Sequence, residues 1–118
     1  MWKEMRTASL LHKLKDPKAM PASKVLEMAM VNGARALGIN AGILKLGSLA
    51  DIIIVDVKKP QFASSNLISS LVGCASGCDV KTTIVGGKIL MEDYKVALDE
   101  EKIIEGARGV ILKIREYN

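Results

Sequence analysis

The chain has 118 residues, of which 49% are hydrophobic, 25% are charged and only 3% are aromatic, with a formal net charge of +4. That length accommodates one domain but not two, and the ordinary charged fraction argues against disorder. The apolar runs are much shorter than the roughly 20 residues that a membrane-spanning helix requires, so no membrane span is expected.

Two helices are predicted in the first third of the chain. Residues 2–15 contain no Gly or Pro and place apolar side chains at helical spacing. Asp16-Pro17 ends this helix, because the residue before a proline avoids the α conformation. Residues 22–37 form a second helix, with Gly38 as a left-handed stop. Apolar residues cover more than half of its circumference, which predicts a largely buried helix.

A small sheet is predicted in the second half of the chain. Asp51–Val57 is β-branched and continuously apolar between two acids, a pattern typical of a strand covered on both faces. Val80–Val85 and Lys88–Glu92 are two further strands. Gly86-Gly87 joins them, because a type I′ hairpin turn needs positive φ at both of its central residues.

Two more helices complete the expected fold. Residues 64–78 are rich in Ser, Gly and Cys, but their apolar spacing predicts one short helix. Asp99 is expected to cap a terminal helix. The apolar stripe of that helix consists of Ile103, Ile104, Ala107, Val110, Ile111 and Ile114. Gly106 and Gly109 weaken it, so it should depend on docking. The expected fold class is α+β with about three strands, whose apolar edges need a partner.

The side chains that could carry chemistry do not combine into an active site. His12 is the only histidine, and its place within a predicted helix indicates a surface or boundary residue. Cys74 and Cys78 have neither the ligand number of a zinc site nor the spacing of a redox pair. We expect them to be small, partly buried thiols of a reducing compartment.

The acidic residues that flank the predicted strands are also poor candidates for catalysis. Asp51, Asp56 and Asp79 are expected to be turn or surface groups, because acids at the ends of strands are more often such groups than catalysts. The sequence therefore assigns no catalytic residue, no cofactor-binding residue and no metal ligand. The 17 basic and 13 acidic residues are mixed along the chain, which argues against a nucleic-acid partner. The first residues lack the apolar segment of a signal peptide, so a cytoplasmic location is expected.

Four stretches of the chain, in this order, resemble one family. They are Trp2–Lys15, Leu26–Gly38, Gly42–Asp56 and Asp79–Asp93. Together they resemble the C-terminal part of a metal-dependent amidohydrolase, in the group of chlorohydrolases and methylthioadenosine/S-adenosylhomocysteine deaminases. The pieces Ala-Asp-Ile-Ile-Ile-Val-Asp and Val-Gly-Gly-Lys are typical of the superfamily. The first helix and the piece Asn-Gly-Ala-Arg-Ala-Leu-Gly point to the branch.

The resemblance implies a division of the chain into two parts. Residues 1–38 would be the last helices of an incomplete (β/α)8 barrel, and residues 39–118 would be part of a composite β-sandwich with a C-terminal helix. The family binds zinc or another divalent metal through residues that would all lie upstream of Met1. The resemblance therefore carries no metal ligand over to this chain, and no cofactor is expected in it.

Two interpretations of function follow from the resemblance. In the first, the chain is a non-catalytic scaffold fragment, inactive alone, of an enzyme that hydrolytically deaminates or dechlorinates a ring carbon of a purine-like or triazine-like substrate. In the second, it is a self-standing structural or binding protein that oligomerises. The first interpretation predicts a missing upstream barrel segment or subunit as the partner, and the second predicts self-association.

Overall fold

The computed structural model describes residues 1–116, and these residues form five α-helices and four strands. The helices are α1 (Trp2–Lys13), α2 (Ala22–Glu27), α3 (Gly33–Ala36), α4 (Leu67–Cys74) and α5 (Glu100–Glu116). The strands are β1 (Ile52–Val55), β2 (Val80–Val85), β3 (Lys88–Glu92) and β4 (Lys95–Val96). Short 3-10 turns cover Pro60–Phe62 and Gly77–Asp79. The mixed helix and strand content confirms the α+β class.

The small apolar core lies where α1, α2 and α4 meet. Met5, Val25 and Val72, one from each helix, form a buried cluster. Arg6 of α1 adds a polar contact, because its Nη2 donates to the carbonyl oxygen of Ala75 at 3.1 Å. Burial of apolar side chains is the main stabilising term in a domain of this kind. These three helices therefore enclose the apolar core of the described residues.

The second predicted helix is present, but it is neither continuous nor largely buried. A π-helical segment, Met28–Asn32, separates α2 from α3. Gly38 adopts φ +67°, which confirms the predicted stop. Met28 and Leu37 are 43% and 75% exposed, so the predicted burial is wrong for the described residues. The reason is that α1 and α4 pack against α2, where Val25 is buried, and leave Met28 and Leu37 exposed.

The four strands form an antiparallel sheet in the order β1-β2-β3-β4. The predicted hairpin is confirmed, since Gly86 and Gly87 have φ values of +55° and +78°. The expectation of about three strands missed β4. Asp93 and Tyr94 adopt φ values of +48° and +66°, and they return the chain as a second two-residue turn. Sequence patterning did not show β4, because a strand of two residues carries no alternating pattern.

The sheet and α5 are poorly covered, contrary to the prediction for the first strand. Ile53 and Ile54 of β1 are 42% and 50% exposed, and every α5 side chain from Glu100 to Arg115 is exposed. The chain has an accessible surface of 9293 Å². A compact monomer of 12.7 kDa would expose about 6,200 Å². No helix among residues 1–116 has the length and hydropathy needed to cross a membrane.

Candidate functional site

A cluster of polar side chains lies where the loop after β1 meets the start of β2. Its centre is Asp79, which is only 3% exposed. Lys59 Nζ and Gln61 Nε2 each donate to Asp79 Oδ1 at 2.9 Å. The backbone N–H and the hydroxyl of Ser76 donate to Oδ2 at 2.8 and 3.0 Å. We call these four residues the Asp79 cluster.

The chemistry of the Asp79 cluster is that of a structural joint. An ionised carboxylate offers about four acceptor sites, and four donors already occupy them. The hydrogen bond from Lys59, followed by that from the Ser76 backbone, lowers the pKa of Asp79 below its ordinary value of 3.8. Asp79 likewise raises the pKa of Lys59. A saturated carboxylate of low pKa is a weak proton acceptor, so the cluster is not suited to general acid–base catalysis.

A second carboxylate connects the sheet to the same loop. Asp56 accepts hydrogen bonds from the backbone N–H of Lys58 at 3.0 Å and from the hydroxyl of Tyr94 at 2.9 Å. The bond from Lys58 is the first cause, and that from Tyr94 the second, of a pKa for Asp56 below its ordinary value of 3.8. Lys59 Nζ lies 5.4 Å from the centre of the Tyr94 ring, a cation–π distance.

Of the His, Cys and Asp side chains that the sequence singles out, most are exposed and one is buried. His12 is exposed on α1, as predicted. Cys74 and Cys78 are exposed free thiols, so the expected partial burial is wrong. Cys74 is the last residue of α4 and Cys78 lies in the 3-10 turn that follows, and neither cysteine packs into the core. Asp51 is exposed and accepts from the backbone N–H of Gly86 at 2.7 Å, which confirms a role at a turn. Asp79 is the exception, since it is buried.

The sequence contains a local signal for the environment of Asp79, which the interpretation of Asp79 as an acid at a strand end did not use. Ser76 and Asp79 have the spacing of a capping box, and the structure contains both of its reciprocal hydrogen bonds. Such a box holds the polar backbone of a tight turn, and here the carboxylate also receives Lys59 and Gln61. The lysine and the glutamine are 20 and 18 residues away in sequence, so no local pattern could have linked them to this turn.

The described residues do not fit a metal ion. Across residues 1–116, no group of three or more His, Cys, Asp or Glu side chains is placed to hold one. The Asp79 cluster contributes a single carboxylate, whose oxygens already bind an ammonium, an amide and a serine. No catalytic step can therefore be built from a metal held by these residues.

Exposed apolar side chains are the more extensive feature of the surface. On α1 and at its C-cap they include Leu10, Leu11 and Leu14, and between α3 and β1 they include Ile43, Leu44, Leu46 and Leu49. Single exposed apolar residues are normal, but continuous patches indicate contacts with another body. Among the described residues, this surface therefore has the chemistry of a contact surface rather than that of a reaction centre.

Comparison with known proteins connects these features to a family. The model of the amidohydrolase family matches residues 1–90. A 5'-deoxyadenosine deaminase of Methanosarcina acetivorans is 54% identical over 112 residues, which are 92% of this chain and 26% of that protein. A 5-methylthioadenosine/S-adenosylhomocysteine deaminase of Thermococcus onnurineus is 54% identical over 99 residues, 81% of this chain and 23% of that protein.

A solved structure extends the similarity to the fold. The crystal structure of an adenosine deaminase from Xanthomonas campestris, with bound zinc, has a TM-score of 0.87 at 29% identity. The match covers 98% of this chain and 28% of that one. The chain thus spans about a quarter of the length of the proteins that it matches. It belongs to the amidohydrolase family, in the branch of chlorohydrolases and methylthioadenosine/S-adenosylhomocysteine deaminases that its motifs predicted.

Proposed function

We propose that the chain is the C-terminal scaffold of a cytoplasmic amidohydrolase that removes an amino group from a purine ring by hydrolysis. Residues 1–38 supply the last helices of the (β/α)8 barrel, and residues 39–118 supply part of the β-sandwich and a C-terminal helix. The chain itself contributes no catalytic residue and no metal ligand, and it is inactive alone. Residues upstream of this segment in the family supply the metal site and the substrate contacts.

The single observation that supports this role most strongly is the excess of exposed surface. The accessible surface of 9293 Å² exceeds that of a compact monomer of this mass by about 3,000 Å². Counted on one partner alone, an excess of this size exceeds one side of most obligate interfaces, which bury roughly 2,000–5,000 Å² on both sides together. The exposed side chains on α1, β1 and the loop between α3 and β1 include many large apolar ones, as an obligate interface requires.

The class of substrate follows from the relatives. Two relatives with 54% identity act on adenosine derivatives according to their names, and both names describe a deaminase. An aminated purine nucleoside is therefore our proposed substrate, and dechlorination of a triazine-like ring is the less supported reaction. The relative from Xanthomonas campestris contains zinc, so zinc is our proposed metal of the complete enzyme.

Complementation tests this function directly. The part of the Methanosarcina acetivorans relative that precedes the matched 112 residues would be co-expressed with this chain. Conversion of 5'-deoxyadenosine would be followed through the change in ultraviolet absorbance on deamination. We expect metal-dependent turnover from the pair and none from either part alone. Turnover by this chain alone, or a pair that stays inactive although it co-purifies with zinc, would contradict the proposal.

Variants of β1 test whether this strand is part of the interface in the complementation experiment. Ile53 and Ile54 point to opposite faces of the strand, because successive side chains alternate, and both are exposed. Ile53→Asp and Ile54→Asp would each place a charge on one of these faces. We expect at least one of them to prevent co-purification, while Lys58→Asp, at an exposed lysine beyond the strand, should not. If all three behave alike, β1 is not part of the interface.

The alternative function, a self-standing protein that oligomerises, predicts a different result. The chain would then form a defined oligomer, and the upstream part of a relative would neither bind it nor change its size in light scattering. The same apolar faces support both functions, so the ability of the upstream part to bind decides between them.

A further inference from the structure

Helix α5 is the most isolated element of the described chain. All of its side chains from Glu100 to Arg115 are exposed. Four of its apolar residues nevertheless follow a regular line, since Ile103, Ala107, Val110 and Ile114 are separated by four, three and four residues, and Ile104 and Ile111 flank this line on one side. This is the 4-3-4 spacing of a two-helix seam. Ile103, Val110 and Ile114 are 57%, 56% and 57% exposed, so the seam has no neighbour within residues 1–116.

The charges of α5 are divided between its two ends. The segment from Asp99 to Glu105 has four acidic residues and one lysine. The segment from Arg108 to Glu116 has three basic residues and one acidic residue. This division also stabilises the helix itself, because it complements the helix dipole. The acidic end of one such helix is therefore complementary in charge to the basic end of another.

We propose that α5 pairs antiparallel with α5 of a second copy of this chain. The antiparallel direction places the acidic first turn of each helix beside the basic last turn of its partner. A parallel pair would place like charges together at both ends, which is unfavourable. Because both copies use the same surface, the contact is isologous and closes as a twofold dimer.

The register of the pair follows from the seam. When Ala107 of each copy lies opposite Val110 of the other, Ile103 lies opposite Ile114. The same register places Ile104 beside Ile111 of the partner on one flank of the seam, and it leaves Gly106 on the other flank. Ala107 lies next to the twofold axis, and the small size of Ala107 and Gly106 allows the two backbones to approach closely. Gly106, which weakens an isolated helix, thus fits a helix pair.

The size of the seam sets the expected strength of the pair. A 17-residue helix is about 26 Å long, and its seam contains little more than two heptads. Short coiled coils are weak in water, so we expect a dissociation constant on the order of micromolar. Sedimentation of the full chain at a series of concentrations would measure it. The substitutions Cys74→Ser and Cys78→Ser would remove the exposed thiols and exclude disulfide cross-linking.

Two matched substitutions test whether the seam makes the contact. Val110→Glu places a charge in the seam, whereas Leu112→Glu places the same charge on the opposite face of the helix. Leu112 is 60% exposed, which makes it a fair control. We expect Val110→Glu to raise the dissociation constant by at least roughly tenfold and Leu112→Glu to leave it within about twofold.

Charge reversal at the two ends of α5 tests whether the two helices pair in the antiparallel direction. The first variant carries Glu100→Lys and Glu101→Lys, and the second carries Lys113→Glu and Arg115→Glu. Each alone should dimerise more weakly than the parent chain, and an equimolar mixture should recover the dimer as a hetero-pair. Recovery on mixing cannot arise from a change in the stability of either helix alone. Circular dichroism of each variant would check that α5 remains helical.

Several results would overturn the pairing. A parent chain that stays monomeric throughout the concentration series would show that α5 has a different occupant, such as another segment of a longer protein. Equal effects of Val110→Glu and Leu112→Glu would exclude the seam. A mixture of the two charge variants that associates no better than its components would exclude contact between opposite ends. A dimer that survives removal of residues 100–118 would place the contact on another surface.

Discussion

Lys59 Nζ lies 2.9 Å from Oδ1 of Asp79, and this contact connects the loop after β1 to the start of β2. The carboxylate is almost completely buried, while the lysine is partly exposed. The same lysine also donates to the carbonyl oxygen of Cys78 at 2.9 Å. One side chain thus holds the turn before β2 through two acceptors.

Asp79→Asn should destabilise the chain markedly. The asparagine amide would place two N–H donors among Lys59, Gln61 and Ser76, which are all donors to Asp79. Buried donors without acceptors are costly. Asp51→Asn is the matched control, because its single bond to the Gly86 N–H can be kept by the amide oxygen. We expect a clear fall in the midpoint of thermal unfolding for Asp79→Asn and little change for Asp51→Asn. Equal midpoints for the two variants would contradict the structural role of the Asp79 cluster.

The free energy of unfolding should decrease on acidification. The pKa values of Asp56 and Asp79 are lowered below 3.8 in the folded chain. The unfolded state therefore takes up protons first, so stability present above about pH 4 is lost as the pH falls through the folded values. Urea unfolding at a series of pH values would measure this, and Asp79→Asn should flatten the curve. A parent curve that is equally flat would refute the expectation.

Gly42→Ala should be more damaging than Gly47→Ala. Both glycines have positive φ, +79° and +83°, which costs an alanine roughly 1–2 kcal/mol. At Gly42 an added Cβ would also lie 2.5 Å from the carbonyl oxygen of Met30, whereas nothing lies within 4 Å at Gly47. Relief of that clash should cost about 1–3 kcal/mol more. Chemical denaturation of the two variants would measure the difference, and equal losses would argue against the close approach.

Val72→Ala should destabilise the helical layer. Val72 is 2% exposed and packs with Met5 and Val25, so its truncation removes buried methyl groups and leaves a cavity. We expect a loss of about 2 kcal/mol in the free energy of unfolding. Val57→Ala is the control, because Val57 is 42% exposed and its truncation leaves no cavity. If the two losses were the same, α1, α2 and α4 would not form the core of the chain.

Local sequence patterns determined most of the elements of this protein. The stops at Asp16-Pro17 and Gly38, the hairpin at Gly86-Gly87 and the cap at Asp99 all act within a few residues. The Asp99 carboxylate indeed accepts from the N–H of Lys102 at 3.0 Å. Periodicity also identified the apolar stripes of α1 and α5. The family followed from the motifs, because they include the strand and hairpin that its members share.

Only the tertiary structure decided which of these apolar stripes are covered and which polar groups meet. The pattern of β1 is that of a strand buried on two faces, yet its described neighbours leave Ile53 and Ile54 open. Burial depends on what packs against a strand, and the strand's own sequence cannot specify that. The same reason applies to Asp79, because Lys59 and Gln61 reach it only after the chain has folded back. The sequence determines which surfaces must be buried, and the three-dimensional arrangement determines what buries them.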